Sequence, residues 1–161
     1  MEKLKYTKTF YTLLIVLSFA IFMGCSKAQG LKGLVKVKGT ITLDGSPLEG
    51  ASIVFVPTTM SDEVRSASGT SDASGNFEMT TLNKGDGAMP GDYRITVVKR
   101  EAAGNAPTAE EMQEAALRGV SLNIQYESVI PARYGVSSSS GLSTTVVAGQ
   151  KDPVKIELTS Q

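Results

Sequence analysis

The sequence predicts an all-β protein, a seven-stranded antiparallel sandwich with one short helical insertion between strands five and six. Three observations carry this. Short apolar runs alternate with polar residues at period 2, as half-buried strands do. Turn signals rich in Gly, Asp, Asn and Pro separate these runs at spacings of roughly 8–12 residues, the pattern of sandwich folds. One stretch alone, after Pro107, changes to helical spacing behind a helix-start signal.

Val35, Val37 and Ile41 stand amid Lys36, Lys38, Thr40 and Thr42, a first strand with Gly39 as a bulge position. Asp44-Gly45 follows as a hairpin turn. Ser52 to Val56 is a second strand, stopped by Pro57, and Thr58 to Glu63 is a loop. Arg65 to Ser71 is a third strand, poor in large apolar groups. Asp72 to Asn76 is a turn before the fourth strand, Phe77 to Thr80. Asn83 to Gly91 reads as a loop, and Tyr93 to Val98 as the fifth strand. Thr108 with Glu111 three residues later is a capping box. The helix it opens places Met112, Ala115, Ala116 and Leu117 on one side and ends at Gly119. Val120 to Tyr126 alternates and reads as extended outside the main sheets, and Ile130 to Tyr134 is irregular. Strands return at Leu142 to Val147 and Val154 to Leu158, after the polar loop Ser137 to Ser140.

Alternation places Val35, Val37, Ile41, Ile53, Phe55, Ile95, Val97, Val146, Ile156 and Leu158 in the core. Each contributes about 1.5–3 kcal/mol when fully buried. Set against chain entropy, that suffices for a domain of ordinary marginal stability.

Residues 1–24 have the layout of a secretory leader. Lys3, Lys5 and Lys8 precede an apolar run from Phe10 to Met23, and Gly24-Cys25-Ser26 follows. The run is shorter than the roughly 20 apolar residues a membrane-spanning helix needs. The ending Phe22-Met23-Gly24-Cys25 resembles the lipobox of bacterial lipoproteins, with Phe22 where Leu is usual. That resemblance implies cleavage between Gly24 and Cys25, a diacylglycerol on the Cys25 sulfur, and a fatty acyl chain such as palmitate on the new amine. The Cys25 thiolate is then the acylated nucleophile, and Gly24 leaves room at the scissile bond. Residues 25–33 become the lipidated Cys and a tether, and the membrane is a partner through that lipid. The resemblance places the chain in the bacterial cell envelope. Ser26 rather than Asp after Cys25 favours an outer-membrane or periplasm-facing address by analogy with enteric bacteria.

Of 161 residues, 137 remain after a 24-residue leader, enough for one domain with a real core. Three lysines and Glu2 leave with the leader, so 13 Lys and Arg stand against 15 Asp and Glu. Such a surface offers no electrostatic footprint for nucleic acid. Cys25 is the single Cys, so no disulfide forms within the chain. The chain has no His. That removes the usual general base near neutral pH, the Ser-His-Asp and Cys-His arrangements, and the imidazole ligands of most zinc and non-haem iron sites.

Three stretches resemble the carboxypeptidase regulatory-like domain: Gly39 to Ala51 around Asp44-Gly45, Ser71 to Phe77, and Pro90 to Val97. Ile130 to Tyr134, followed by Ser140-Gly141-Leu142, resembles small bacterial lipoproteins containing that domain. The resemblance implies a transthyretin-like, Greek-key-type sandwich over 34–160, with 101–134 as its insertion and no catalytic residues to carry over. The hydroxyisourate hydrolases of related fold need His residues and a terminal Tyr-Arg-Gly-Ser, whereas this chain ends Leu158-Thr159-Ser160-Gln161. Iron dioxygenases with a related sandwich need His ligands as well.

The remaining candidates read as structural. Asp72, Ser74 and Asn76 have the alternate spacing of a calcium loop, but an EF-hand needs Gly and Glu where Phe77 and Asn83 stand. Asp86 and Asp92 show no spacing that demands a cation. Asp62 with Glu63, and Glu110, Glu111 and Glu114, read as a polar loop and the solvated first turns of a helix. The expectation is therefore no enzyme, no cofactor and no metal. The role is structural, or the presentation of a surface to other envelope proteins. The alternative is a glycan- or peptide-binding module that uses the 101–134 insertion, with Tyr126 and Tyr134 as contact residues.

Overall fold

A computed structural model describes residues 31–59, 64–104 and 106–161, and the unit Leu31–Gln161 holds the core. Its strands are β1 Lys38–Leu43, β2 Ser46–Pro47, β3 Ser52–Pro57, β4 Ala67–Thr70, β5 Asn76–Glu78, β6 Gly91–Val98, β7 Arg100–Ala102, β8 Tyr126–Ser128, β9 Ser143–Val146 and β10 Val154–Leu158. One α-helix, α1 Ala109–Leu117, and a 3-10 turn at Ala132–Gly135 complete the described elements. The protein is mostly β, and it is not a barrel. One four-stranded sheet runs β10-β1-β2 with β5 also on β1, a second runs β4-β3-β6-β9, and β7 and β8 form a separate pair. Both larger sheets feed one buried cluster, an arrangement consistent with a β-sandwich.

All seven expected strands are present, as β1, β3, β4, β5, β6, β9 and β10. β2, β7 and β8 are additional short segments. One pairing departs from the antiparallel expectation: β10 lies beside β1 in parallel register, from Gly39 opposite Val154 to Leu43 opposite Leu158. Residues 147–153 carry the chain from β9 in one sheet to β10 in the other, and β10 then runs in the same direction as the first strand.

Asp44 and Gly45 have φ of 50° and 82°, and β1 and β2 pair on either side of them. Two consecutive positive φ values make the two-residue loop a type I′ hairpin turn, which is why Asp-Gly stands there. Gly39 is not a bulge. It keeps regular register with Phe77 on one side and Val154 on the other. A Cβ at Gly39 would fall inside contact distance of the Phe77 ring and the Val154 carbonyl, so Gly is the residue that admits both neighbours.

β3 and β6 are the centre of the second sheet, paired from Ser52 opposite Val98 to Pro57 opposite Tyr93. Nine of the ten expected core residues are buried, and Val35 is half-buried beside the cluster. Val35 makes only an isolated bridge to Ala88, outside the ladders. Tyr93 lies wholly inside, its ring centroid 5.8 Å from that of Phe55 and its hydroxyl donating to the Met89 carbonyl at 2.8 Å. Burial raises its pKa.

Candidate functional site

The insertion leaves the sandwich directly after β6. β7 and β8 pair from Arg100 opposite Ser128 to Ala102 opposite Tyr126. The Val129 N–H donates to the Lys99 carbonyl at 3.0 Å at the base of this ribbon, and the Ala103 N–H to the Gln125 carbonyl at 2.8 Å beyond it. α1 lies in the excursion between the two strands. Its capping box is formed: the Glu111 N–H donates to Thr108 Oγ1 at 3.2 Å, and the Thr108 N–H to Glu111 Oε2 at 2.8 Å. The side of α1 that carries Met112 and Leu117 has no core beneath it, and the helix buries no residue. A cleft of about 840 Å³ lies between α1 and residues 120–122, lined by Ala115, Val120 and Leu122 together with Glu111, Glu114 and Arg118.

The structure separates the two candidate tyrosines. Tyr126 is 61 % exposed on β8. Tyr134 is 6 % exposed, within the core cluster, so its ring offers no face for a sugar to stack on. Its hydroxyl accepts from the Thr159 N–H at 3.0 Å and from Arg133 Nη2 at 3.1 Å. The Arg133 guanidinium stands 4.6 Å over the ring centroid and also donates to the Thr159 carbonyl, the Thr159 hydroxyl and the Gln161 carbonyl. Hydrogen bonds with the Thr159 side chain and backbone, aided by Arg133, hold the Tyr134 phenol below its ordinary pKa. Together these contacts pin the irregular 130–135 stretch to the residues after β10. Sequence reasoning had no sign of this clasp, because its partners stand 25 residues apart.

Two of the carboxylates considered as cation-binding groups, Asp72 and Asp86, hold turns. Asp72 Oδ1 accepts from the Ser74 and Asn76 N–H groups at 2.9 and 2.8 Å, and these bonds, that from Asn76 first, lower its pKa. Asp86 accepts from the N–H groups of Thr81, Leu82 and Asn83 at 2.7, 3.0 and 2.7 Å. Partial burial alone would raise its pKa, but the backbone donors from Asn83, Thr81 and Leu82 outweigh it, and the net shift is downward. Asp92 Oδ1 accepts from the Thr145 hydroxyl at 2.6 Å. Asp44, lowered by its bonds with Ser160, ties the β1–β2 turn to the chain after β10. Glu114 pairs with Arg118 at 2.7 Å on the surface of α1. Among the described residues, no group of three or more His, Cys, Asp or Glu is placed to hold a metal ion.

A second cleft, of about 1090 Å³, crosses the outer faces of β1, β4 and β5. Lys38, Ser68, Thr70, Asn76 and Lys84 line it, and Lys38 is ion-paired with Glu78 there. It offers hydrogen-bonding groups but no exposed aromatic. Gly24 and Cys25, the expected processing and lipidation residues, and Asp62 and Glu63 lie outside the described residues. No helix among the described residues is long and apolar enough to cross a membrane.

The fold is that of a mostly-β protein, consistent with a β-sandwich, with an exposed helix. No protein-family model, curated protein or solved structure matches the chain.

Proposed function

We propose that this protein is a lipid-anchored, noncatalytic β-sandwich lipoprotein of the bacterial cell envelope, with a structural or protein-interaction role. The proposed fold is the seven-stranded, transthyretin-like Greek key of carboxypeptidase regulatory-like domains, to which β2, β7 and β8 are local additions. One observation carries the reading: Cys25, the single cysteine, falls at the end of a short apolar leader in a lipobox-like context. Acylation at both the sulfur and the amine gives stable attachment, whereas a single chain is marginal. The scaffold role of the motif residues supports the noncatalytic part, since Asp44, Asp72 and Tyr93 each spend their polar atoms on a turn or a loop.

Cell fractionation tests the anchor. The parent chain is expected in the membrane fraction, and the Cys25→Ala variant is expected to leave it. A Cys25→Ala variant that stays with the membranes like the parent overturns the reading.

A second reading, ligand binding by the 101–134 insertion, is favoured by the exposed Tyr126 ring and the cleft beside α1. Glycan or peptide binding that weakens in Tyr126→Ala, with the fold intact, supports it.

A further inference from the structure

The insertion is the part of the protein whose surface is least accounted for by folding. Six of the nine large apolar side chains exposed among the described residues lie between Met112 and Val129. Val120 is 57 % exposed and Leu122 41 %, and both line the cleft against α1. Scattered exposed apolar residues are ordinary, but a concentration of them marks an interaction surface.

Charge is concentrated in the same place. Residues 101–129 hold five Glu and one Arg, whereas the rest of 25–161 holds 12 Lys and Arg against 10 Asp and Glu. The single Arg, Arg118, is already paired with Glu114, and Glu101 with Lys99. Glu110 and Glu127 make no ion pair among the described residues, and Glu111, whose carboxylate caps α1, lines the cleft. The ribbon register also sets Glu101 directly opposite Glu127. Like charges facing each other across strands are unfavourable, and Lys99, paired with Glu101, partly relieves them.

We infer that the cleft between α1 and residues 120–122 docks a cationic amphipathic segment of a partner protein. Its apolar side chains lie against Ala115, Val120 and Leu122, and its Lys or Arg side chains face Glu111 at the cleft and the net negative charge of the insertion around it. An amphipathic helix laid into an apolar groove is a common mode of recognition, and the acidic border selects basic residues on that helix. This inference rests on the protein-interaction reading and is independent of the lipid anchor. Its failure leaves the Cys25→Ala result untouched, and the reverse also holds.

The test uses the full-length chain immobilised through a C-terminal tag. The probe is a helical Leu/Lys peptide of about five turns, with Leu at i, i+3, i+4 and i+7 spacing. Its control carries Glu in place of every Lys. The Leu/Lys peptide is expected to bind at least about tenfold more tightly than the control, a difference of about 1.4 kcal/mol. The binding is expected to weaken as salt rises from about 0.05 to about 0.5 M. Val120→Lys with Leu122→Lys is expected to weaken it by about tenfold or more, at unchanged thermal midpoint because both side chains are exposed. Leu82→Lys, an exposed apolar residue outside the insertion, is expected to leave binding unchanged.

Equal binding of the two peptides overturns the inference, as does binding indifferent to the Val120/Leu122 pair. Self-association of the chain, lost in the Val120/Leu122 variant, replaces the partner with a second copy. Retention on phosphatidylcholine–phosphatidylglycerol vesicles, lost in the same variant but not in Cys25→Ala, replaces it with lipid. Either result overturns the proposal.

Discussion

Replacing Tyr134 separates a ligand-contact role from a structural one. The side chain is buried in the cluster that holds both sheets together. Truncating a buried aromatic to Ala costs about 3–5 kcal/mol, through lost burial and the cavity left behind. Tyr134→Phe keeps the ring and removes only the hydroxyl. The Thr159 N–H and Arg133 Nη2 then each lose a partner, at a cost of about 1–2 kcal/mol, tempered by water reaching the exposed side of the network. Tyr126→Ala removes a largely exposed ring and is expected to cost about 0.5 kcal/mol or less. For a unit of this size, about 1 kcal/mol moves the thermal midpoint by about 4 °C. Urea unfolding followed by circular dichroism reads all three, since the midpoint shifts while the slope stays constant. The expected order of loss is Tyr134→Ala, then Tyr134→Phe, then Tyr126→Ala. A Tyr134→Ala midpoint equal to the parent's would refute the argument, because it would mean the ring is not part of the core.

Gly39→Ala is expected to destabilise by about 1–3 kcal/mol, since the new methyl meets a buried ring and a ladder carbonyl that have no room to yield; an unchanged urea midpoint would disprove the close approach. Asp86 supplies a pH dependence. Its folded pKa lies below the unfolded value of about 4, so its contribution is complete above pH 4 and is lost as pH falls through the folded value. Asp86→Asn, which takes no part in that titration, is expected to lower stability at neutral pH and to flatten the acid limb of a stability–pH curve; a limb as steep as the parent's would show that Asp86 is not one of the groups that titrates.

The strands were legible because each rests on local evidence. Alternation in 52–56 and 93–98 fixes which side chains face inward, and Asp44-Gly45 fixes a turn. The parallel pairing of β1 with β10 was not legible, because register between strands more than 100 residues apart leaves no trace in either one's local pattern. Leu48, Met79 and Ile130 are buried from stretches too short to show a period. The helix was legible from its caps, but its environment was not. Spacing places Met112 and Leu117 on one side and is silent on whether that side meets a core. The tyrosines make the same point for the site. Tyr126 and Tyr134 look alike in sequence, and only the long-range packing of Tyr134, with its hydroxyl on the Thr159 N–H, assigns one to the interior.

The position of the insertion bears on what it is for. The two ends of its 100–128 excursion are hydrogen-bonded neighbours, with the Val129 N–H on the Lys99 carbonyl at 3.0 Å. Two extended ends held this way need only a short turn between them to complete a hairpin. Residues 100–128 instead make an excursion that includes a helix with nothing buried on it. Ordering each of those residues costs about 1–2 kcal/mol of backbone entropy, and burial on this scale of exposure returns little of it. The sandwich therefore gains almost nothing from the excursion, whereas its Asp and Gly turns are committed to holding the strands in place. The exposed apolar side chains of the excursion are therefore not accounted for by the packing of the strands, whereas Asp44, Asp72 and Asp86 are each held by a turn or a chain end.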